Sequence, residues 1–253
     1  LVELRRRLLY SVAGFLVCFF ASYYFAADIF NFLLQPLADI WQGDSSRRII
    51  FTAMHEKFFT DIKVAFFAGT FIAFPIIANQ IWIFIAPGLY KQEKRAFLPF
   101  LVATPFLFFM GGAFVYYFVF PVAWPFFASF EQEGANGAMA IALEPKVNEY
   151  LSLVMRLIFA FGLSFELPVV MTLLARARIM TSSSMRKKRR YAILLAFVAA
   201  AVLTPPDPLS QIGLALPIIM LYEISIFFAI LIDLNANFFK IFWCNILIFN
   251  NFI

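Results

Sequence analysis

The feature that most constrains this chain is a series of long, unbroken apolar runs, at residues 8–26, 62–86, 96–120 and 150–174, with weaker segments at 191–203 and 211–232. A helix needs about 20 predominantly apolar residues to cross about 30 Å of hydrocarbon. Only 14% of the residues are charged and 63% are hydrophobic, with Phe occurring 36 times. Soluble domains carry about 25% charged residues, so a soluble enzyme, a disordered chain and a collagen-like rod are excluded. A β-barrel would alternate polar and apolar residues in short segments, which these runs do not. The sequence therefore predicts an all-α integral membrane protein with six transmembrane helices, the fifth and sixth of them short.

Charge placement orients the spans. The termini and loops on one side hold Arg5, Arg6, Arg7, Lys91, Lys94, Arg95, Arg176, Arg178, Arg186, Lys187, Lys188, Arg189, Arg190 and Lys240, which is 14 of the 20 basic residues. The opposite loops hold acids, among them Asp28, Asp39, Asp44, Glu56, Asp61, Glu131, Glu144, Glu149 and Asp207. Basic loops stay in the cytoplasm, so both termini are expected there. The Arg5–Arg7 run before an apolar stretch imitates a secretory signal. No small-residue cleavage site follows it, and it is read as a retained first span.

The fifth segment, Tyr191 to Leu203, would make roughly 20 Å of helix at 1.5 Å per residue, about 10 Å short of a typical hydrocarbon core. Three prolines in Thr204-Pro205-Pro206-Asp207-Pro208 stop it, because proline brings no N–H and cannot continue a helix. Either neighbouring helices bury this short span or the bilayer thins beside it. Pro75, Pro99, Pro105, Pro121, Pro168 and Pro217 lie in or beside the other spans and predict kinked helices in a bent, cup-like bundle. The loops 27–61 and 121–149 are long enough for an external cap, and Phe51, Met54, Phe58, Phe59 and Ile62 suggest an amphipathic stretch in the first. Residues 1–233 are read as one six-span membrane domain. The Asn-, Phe- and Ile-rich tail 234–253 is atypical.

Residues for catalysis are sparse. Cys18 and Cys244 are far apart, His55 lies alone in a polar loop, and no HExxH, GxSxG or Walker A motif occurs. No enzymatic activity, metal or cofactor is expected. Ionisable groups inside a membrane are costly and mark function or helix–helix clamps. Glu166, within Gly162-Leu163-Ser164-Phe165-Glu166-Leu167-Pro168, and Glu223 in the sixth span are such groups. Arg156 stands ten residues before Glu166, about 15 Å along a helix and too far to pair with it. On the basic side, Glu3 beside Arg5-Arg6-Arg7 and Glu93 within Lys91-Gln92-Glu93-Lys94-Arg95 either neutralise their loops or bind a cationic ligand. Carboxylates accept guanidinium groups in bidentate fashion, so an arginine-bearing ligand fits the second reading.

Four motifs in order carry a family resemblance. Leu1-Val2-Glu3-Leu4-Arg5-Arg6-Arg7, Trp82-Ile83-Phe84-Ile85-Ala86-Pro87-Gly88-Leu89-Tyr90-Lys91-Gln92-Glu93-Lys94-Arg95, Ala160 to Pro168, and Leu203-Thr204-Pro205-Pro206-Asp207-Pro208-Leu209-Ser210-Gln211 together resemble the TatC family of twin-arginine protein translocase subunits, over residues 1 to about 233. Arg156 and the tail depart from it. The resemblance implies a receptor in a bacterial cytoplasmic or organellar inner membrane. It would bind signal peptides with two adjacent arginines and help move folded proteins on the proton-motive force. Glu3 and Glu93 would contact the arginine pair, with Arg5, Phe84 and Pro87 shaping the site. Pro36 matches a family proline in the first outer loop. Glu166, Thr204, Asp207, Gln211 and Glu223 would serve partner helices and transport. The implied partners are TatA- and TatB-like single-span proteins, twin-arginine precursors, other TatC copies and membrane lipid, with no nucleic acid. The alternatives are a proton-coupled solute permease using Glu166 as a relay, and a structural scaffold of a membrane complex.

Overall fold

The computed structural model describes residues 2–41, 48–85, 94–131, 143–177, 179–204 and 208–250, and at 85, 94–99, 208–210 and 235–250 the backbone alone. The described residues are helical apart from connections and one isolated bridge between Ile50 and Lys146. The helices are α1 (Val2–Tyr24), α2 (Ala26–Ala38), α3 (Glu56–Ile85), α4 (Lys94–Phe114), a π-helical turn (Val115–Val119), α5 (Phe120–Ala128), α6 (Val147–Phe165), α7 (Leu167–Arg176), α8 (Ser182–Lys187), α9 (Arg189–Leu203) and α10 (Pro208–Asn250). Among the described residues, five stretches are long and apolar enough to cross a membrane: Val2–Tyr24, Glu56–Phe84, Phe100–Ala128, Val147–Arg176 and Gln211–Leu234. The remaining expected span, the fifth, is α9, whose 15 residues make about 22 Å of helix.

The chain divides into two compact units, Leu1–Gly162 and Leu163–Ile253. In the first, α1 packs antiparallel on α3. Gly69 allows the close approach: a Cβ there would lie 2.7 Å from the Cα of Phe19. Small residues at such contacts let membrane helices approach until their backbones nearly touch. Gly111 does the same for α4 on α6, where a Cβ would meet the carbonyl oxygen of Phe161 at 2.6 Å. Phenylalanines fill the space around these contacts. Phe108 is fully buried, stacked on Phe74 at 3.6 Å between ring centroids and packed on Phe71 and Phe159. Trp82 donates its indole N–H to Thr104 Oγ1 at 2.9 Å, a buried tie between α3 and α4.

At the other end of α3 the first unit carries a cap. The first long loop was expected to hold an amphipathic stretch at 51–62. Instead its helix is α2, and α3 begins at Glu56, upstream of the expected 62. The Glu56 carboxylate accepts the N–H groups of Thr52 at 2.7 Å and Asn148 at 3.4 Å, so the starts of α3 and α6 are joined. Two tyrosines pin α2: Tyr116 donates its hydroxyl to Phe32 O at 2.9 Å, and the buried Tyr150 to Leu33 O at 3.1 Å.

Prolines account for the two irregular turns. Pro121 brings no N–H to the ladder, and just before it the Phe120 N–H reaches Val115 O, five residues back, a π-type bond. Pro168 acts similarly at the break between α6 and α7. The Glu166 N–H closes a tight bond to Leu163 O at 3.1 Å, and Val170 resumes the ladder by donating to Glu166 O at 2.9 Å.

In the second unit α9 runs antiparallel to α10. Gln211 Nε2 donates to Phe197 O at 3.2 Å, and Thr204 Oγ1 donates to Ala200 O at 2.8 Å. Helix α8 starts at Thr181, whose hydroxyl accepts the Ser184 N–H at 3.3 Å, an N-cap. Two residues of α10 hold this turn in place: Asp233 accepts the Ser182 N–H at 2.9 Å and Tyr222 donates to Met185 O at 2.9 Å. Met185 is fully buried with Ala175, Ile226 and Ala229. The described backbone of the tail is helical to Asn250. With no Gly or Pro after Pro217, α10 continues through it to Asn250.

Candidate recognition end and partner-facing residues

Glu3 lies in the first turn of α1, exposed, and its carboxylate is hydrogen-bonded by Arg7 one turn later. Glu before Arg at this spacing is the favourable order on a helix. Arg5 is exposed on the same turn. The antiparallel register brings a third residue level with them. Gly14 faces Ile76 and Phe19 faces Gly69, so continuing the pairing sets Phe84 opposite the Glu3–Arg7 turn. Phe84 is 47% exposed. One end of the α1–α3 pair thus carries a carboxylate, the three guanidinium groups of Arg5, Arg6 and Arg7, and an open aromatic ring. Pro87 and Glu93 lie outside the described residues, in the segment that follows α3.

Such an end offers an acceptor for an incoming cation, balanced in the free protein by Arg7. The sequence missed this internal partner. Its signal, Glu and Arg four residues apart in a helical start, was present.

Glu166 sits in the α6–α7 break and is 8% exposed. Pro36 is buried in α2. Thr204 and Gln211 are half-buried and occupied in closing the α9–α10 hairpin. Asp207 lies outside the described residues. Glu223 carries an ion pair with Arg189 at 2.6 Å, both side chains roughly half-exposed. It is thus a polar clamp between α10 and the first turn of α9. Among the described residues no three His, Cys, Asp or Glu side chains gather to hold a metal.

Comparison with known proteins gives this geometry its context. The family model described as "Sec-independent protein translocase protein (TatC)" matches residues 1–217. The Sec-independent protein translocase protein TatC of Magnetococcus marinus is 52% identical over 228 residues, which cover 90% of this chain and 81% of that one. The TatC of Escherichia coli K12 is 43% identical over 229 residues, covering 90% and 86%. Among solved structures, the twin-arginine translocase receptor TatC crystallised in DDM superposes with a TM-score of 0.79 at 37% identity, covering 90% of this chain and 97% of that one. The apolar helices, the motif order and the matched fold lead to one assignment: the chain belongs to the TatC family, as a multi-pass membrane subunit of the Sec-independent protein translocase.

Proposed function

We propose that this subunit receives folded cargo by binding a signal peptide with two adjacent arginines at the end of the α1–α3 pair. The observation that carries the proposal is the level placement of Glu3, Arg5 and Phe84, at the point where the chain enters the segment holding Pro87 and Glu93. A guanidinium takes a carboxylate through two parallel N–H groups and stacks on an aromatic face, whereas an ammonium offers a point charge. The site would therefore prefer two arginines over two lysines. Arg7 holds Glu3 in the absence of cargo and would yield to the incoming guanidinium. The basic end faces the cytoplasm of a bacterial or organellar inner membrane, as the charge distribution supports. Single-span TatA- and TatB-like partners and further copies of this chain would assemble along the helices of Glu166, Thr204, Gln211 and Glu223, with transport drawing on the proton-motive force.

The test is equilibrium binding of a purified twin-arginine precursor to the wild type, Glu93→Ala and Glu93→Lys in detergent, beside a two-lysine precursor. The expected order is wild type, then Ala, then Lys, since Lys adds repulsion to the lost contact. The two-lysine precursor should bind the wild type more weakly. Equal binding of the twin-arginine precursor to wild type and Glu93→Lys would reject the assignment.

A further inference from the structure

A cavity of about 340 Å³ lies between α2 and the π turn, at the capped end of the first unit. One wall is Phe32, Gln35 and Asp39, which recur at helical spacing along one face of α2. The other is Tyr116, Tyr117 and Pro121. The two tyrosines are adjacent in sequence and come from a widened π turn, a feature frequent at functional sites.

The lining selects the charge of its occupant. Asp39 is exposed at the C-terminal cap of α2, where the helix carbonyls also favour a cation. No basic side chain lines the cavity. The π faces are set in advance: Phe32 and Tyr116 stack at 4.4 Å between centroids and within 1° of parallel, held by the Tyr116 hydrogen bond to Phe32 O. Aromatic faces with a carboxylate are the arrangement that takes up ammonium groups. Asp39 and Gln35 add oxygens that accept N–H bonds, which a primary ammonium can supply and a quaternary one cannot.

The surroundings select the source of that ammonium. Beside the cavity, Tyr117, Phe118 and Val122 are 65%, 66% and 74% exposed, forming an apolar strip on a stretch long enough to span a membrane. A ligand with a cationic head and long apolar tails would cover both. We propose that this cavity binds the ethanolamine headgroup of a phospholipid, with the acyl chains lying along that strip. The inference does not depend on which side of the membrane the cap faces or on signal-peptide binding, and it is read without any precursor.

The test uses the full chain in nanodiscs containing equal amounts of phosphatidylethanolamine and phosphatidylglycerol, followed by native mass spectrometry of the lipid retained. The wild type should retain phosphatidylethanolamine in roughly fivefold to tenfold preference, as one exposed ion pair and one ammonium–ring contact would give. Asp39→Asn should bring the preference close to parity, and Tyr116→Leu should reduce it. Asp28→Asn, which removes an acid of the same helix outside the cavity, should leave it intact. Equal retention of the two lipids by the wild type, or an unchanged preference in Asp39→Asn, would overturn the proposal. Displacement of the lipid by free glycerophosphoethanolamine would assign the cavity to a soluble amine and overturn it as a lipid site.

Discussion

Glu166 and Glu223 are both carboxylates in apolar helices, yet their surroundings differ. Glu223 is paired with Arg189 and partly solvated. Glu166 is buried in a helix break, where a charged form is costly unless hydrogen bonds or water compensate. A polar contact for a partner helix, the role proposed for Glu166, needs hydrogen-bonding capacity rather than ionisation. Glu166→Gln, which keeps both size and hydrogen bonding, should then retain much of the transport of a folded twin-arginine cargo at matched membrane abundance. Glu166→Leu should impair it. A proton relay demands the reverse for Gln, so complete loss with Gln would point to ionisation. The break at Glu166 was legible in the sequence because Pro168 stands two residues on. The Arg189–Glu223 pair was not, since 34 residues separate its partners and only the register of the α9–α10 hairpin brings them together. Breaking that pair by Glu223→Arg should lower thermal stability by at most about 1 kcal/mol, as for a part-exposed ion pair. The double exchange Arg189→Glu with Glu223→Arg should restore most of it.

Helix α2 shows what binds the elements. Its outer loop was read as one segment because acids at Asp28 and Asp39 mark the boundary of the apolar run, and the amphipathic signal was placed at 51–62. The helix lies upstream, where Ile29, Leu33 and Leu37 share a face. What fixes it is long-range: hydroxyls of Tyr116 and Tyr150 on its carbonyls. A run of phenylalanines and tyrosines gives no hint of such partners. Tyr150→Phe removes one buried hydrogen bond and should cost about 0.5–1.5 kcal/mol, read as a lower melting temperature in detergent with little change in helix content. At the α1–α3 contact, Gly69→Leu drives a side chain into the backbone of Phe19, with no flexible neighbour to give way. It should reduce the yield of folded protein far more than Gly213→Leu, which meets open space.

For the whole molecule, four of the six expected spans were legible as long apolar runs and 211–232 as a weaker one, since length and hydropathy decide whether a helix can cross a bilayer. The short α9 was legible from its proline stop. The recognition end was only partly so. The motif marked Glu3 and Phe84, but their level placement follows from small-residue contacts at Gly14 and Gly69 that set the helix register. Orientation rests on charge, and single-cysteine labelling checks it: positions 61 and 143 should react with an impermeant reagent from outside sealed cells, and position 187 should not. The most direct test of the central claim is photocrosslinking from a benzoylphenylalanine at position 84, with position 118 at the other end of the spans as control. A twin-arginine precursor should crosslink at 84 and not at 118, and changing its arginine pair to lysines should sharply reduce the product. Equal crosslinking of the two precursors at 84, or stronger crosslinking at 118, would contradict the assignment of this end as the receptor site.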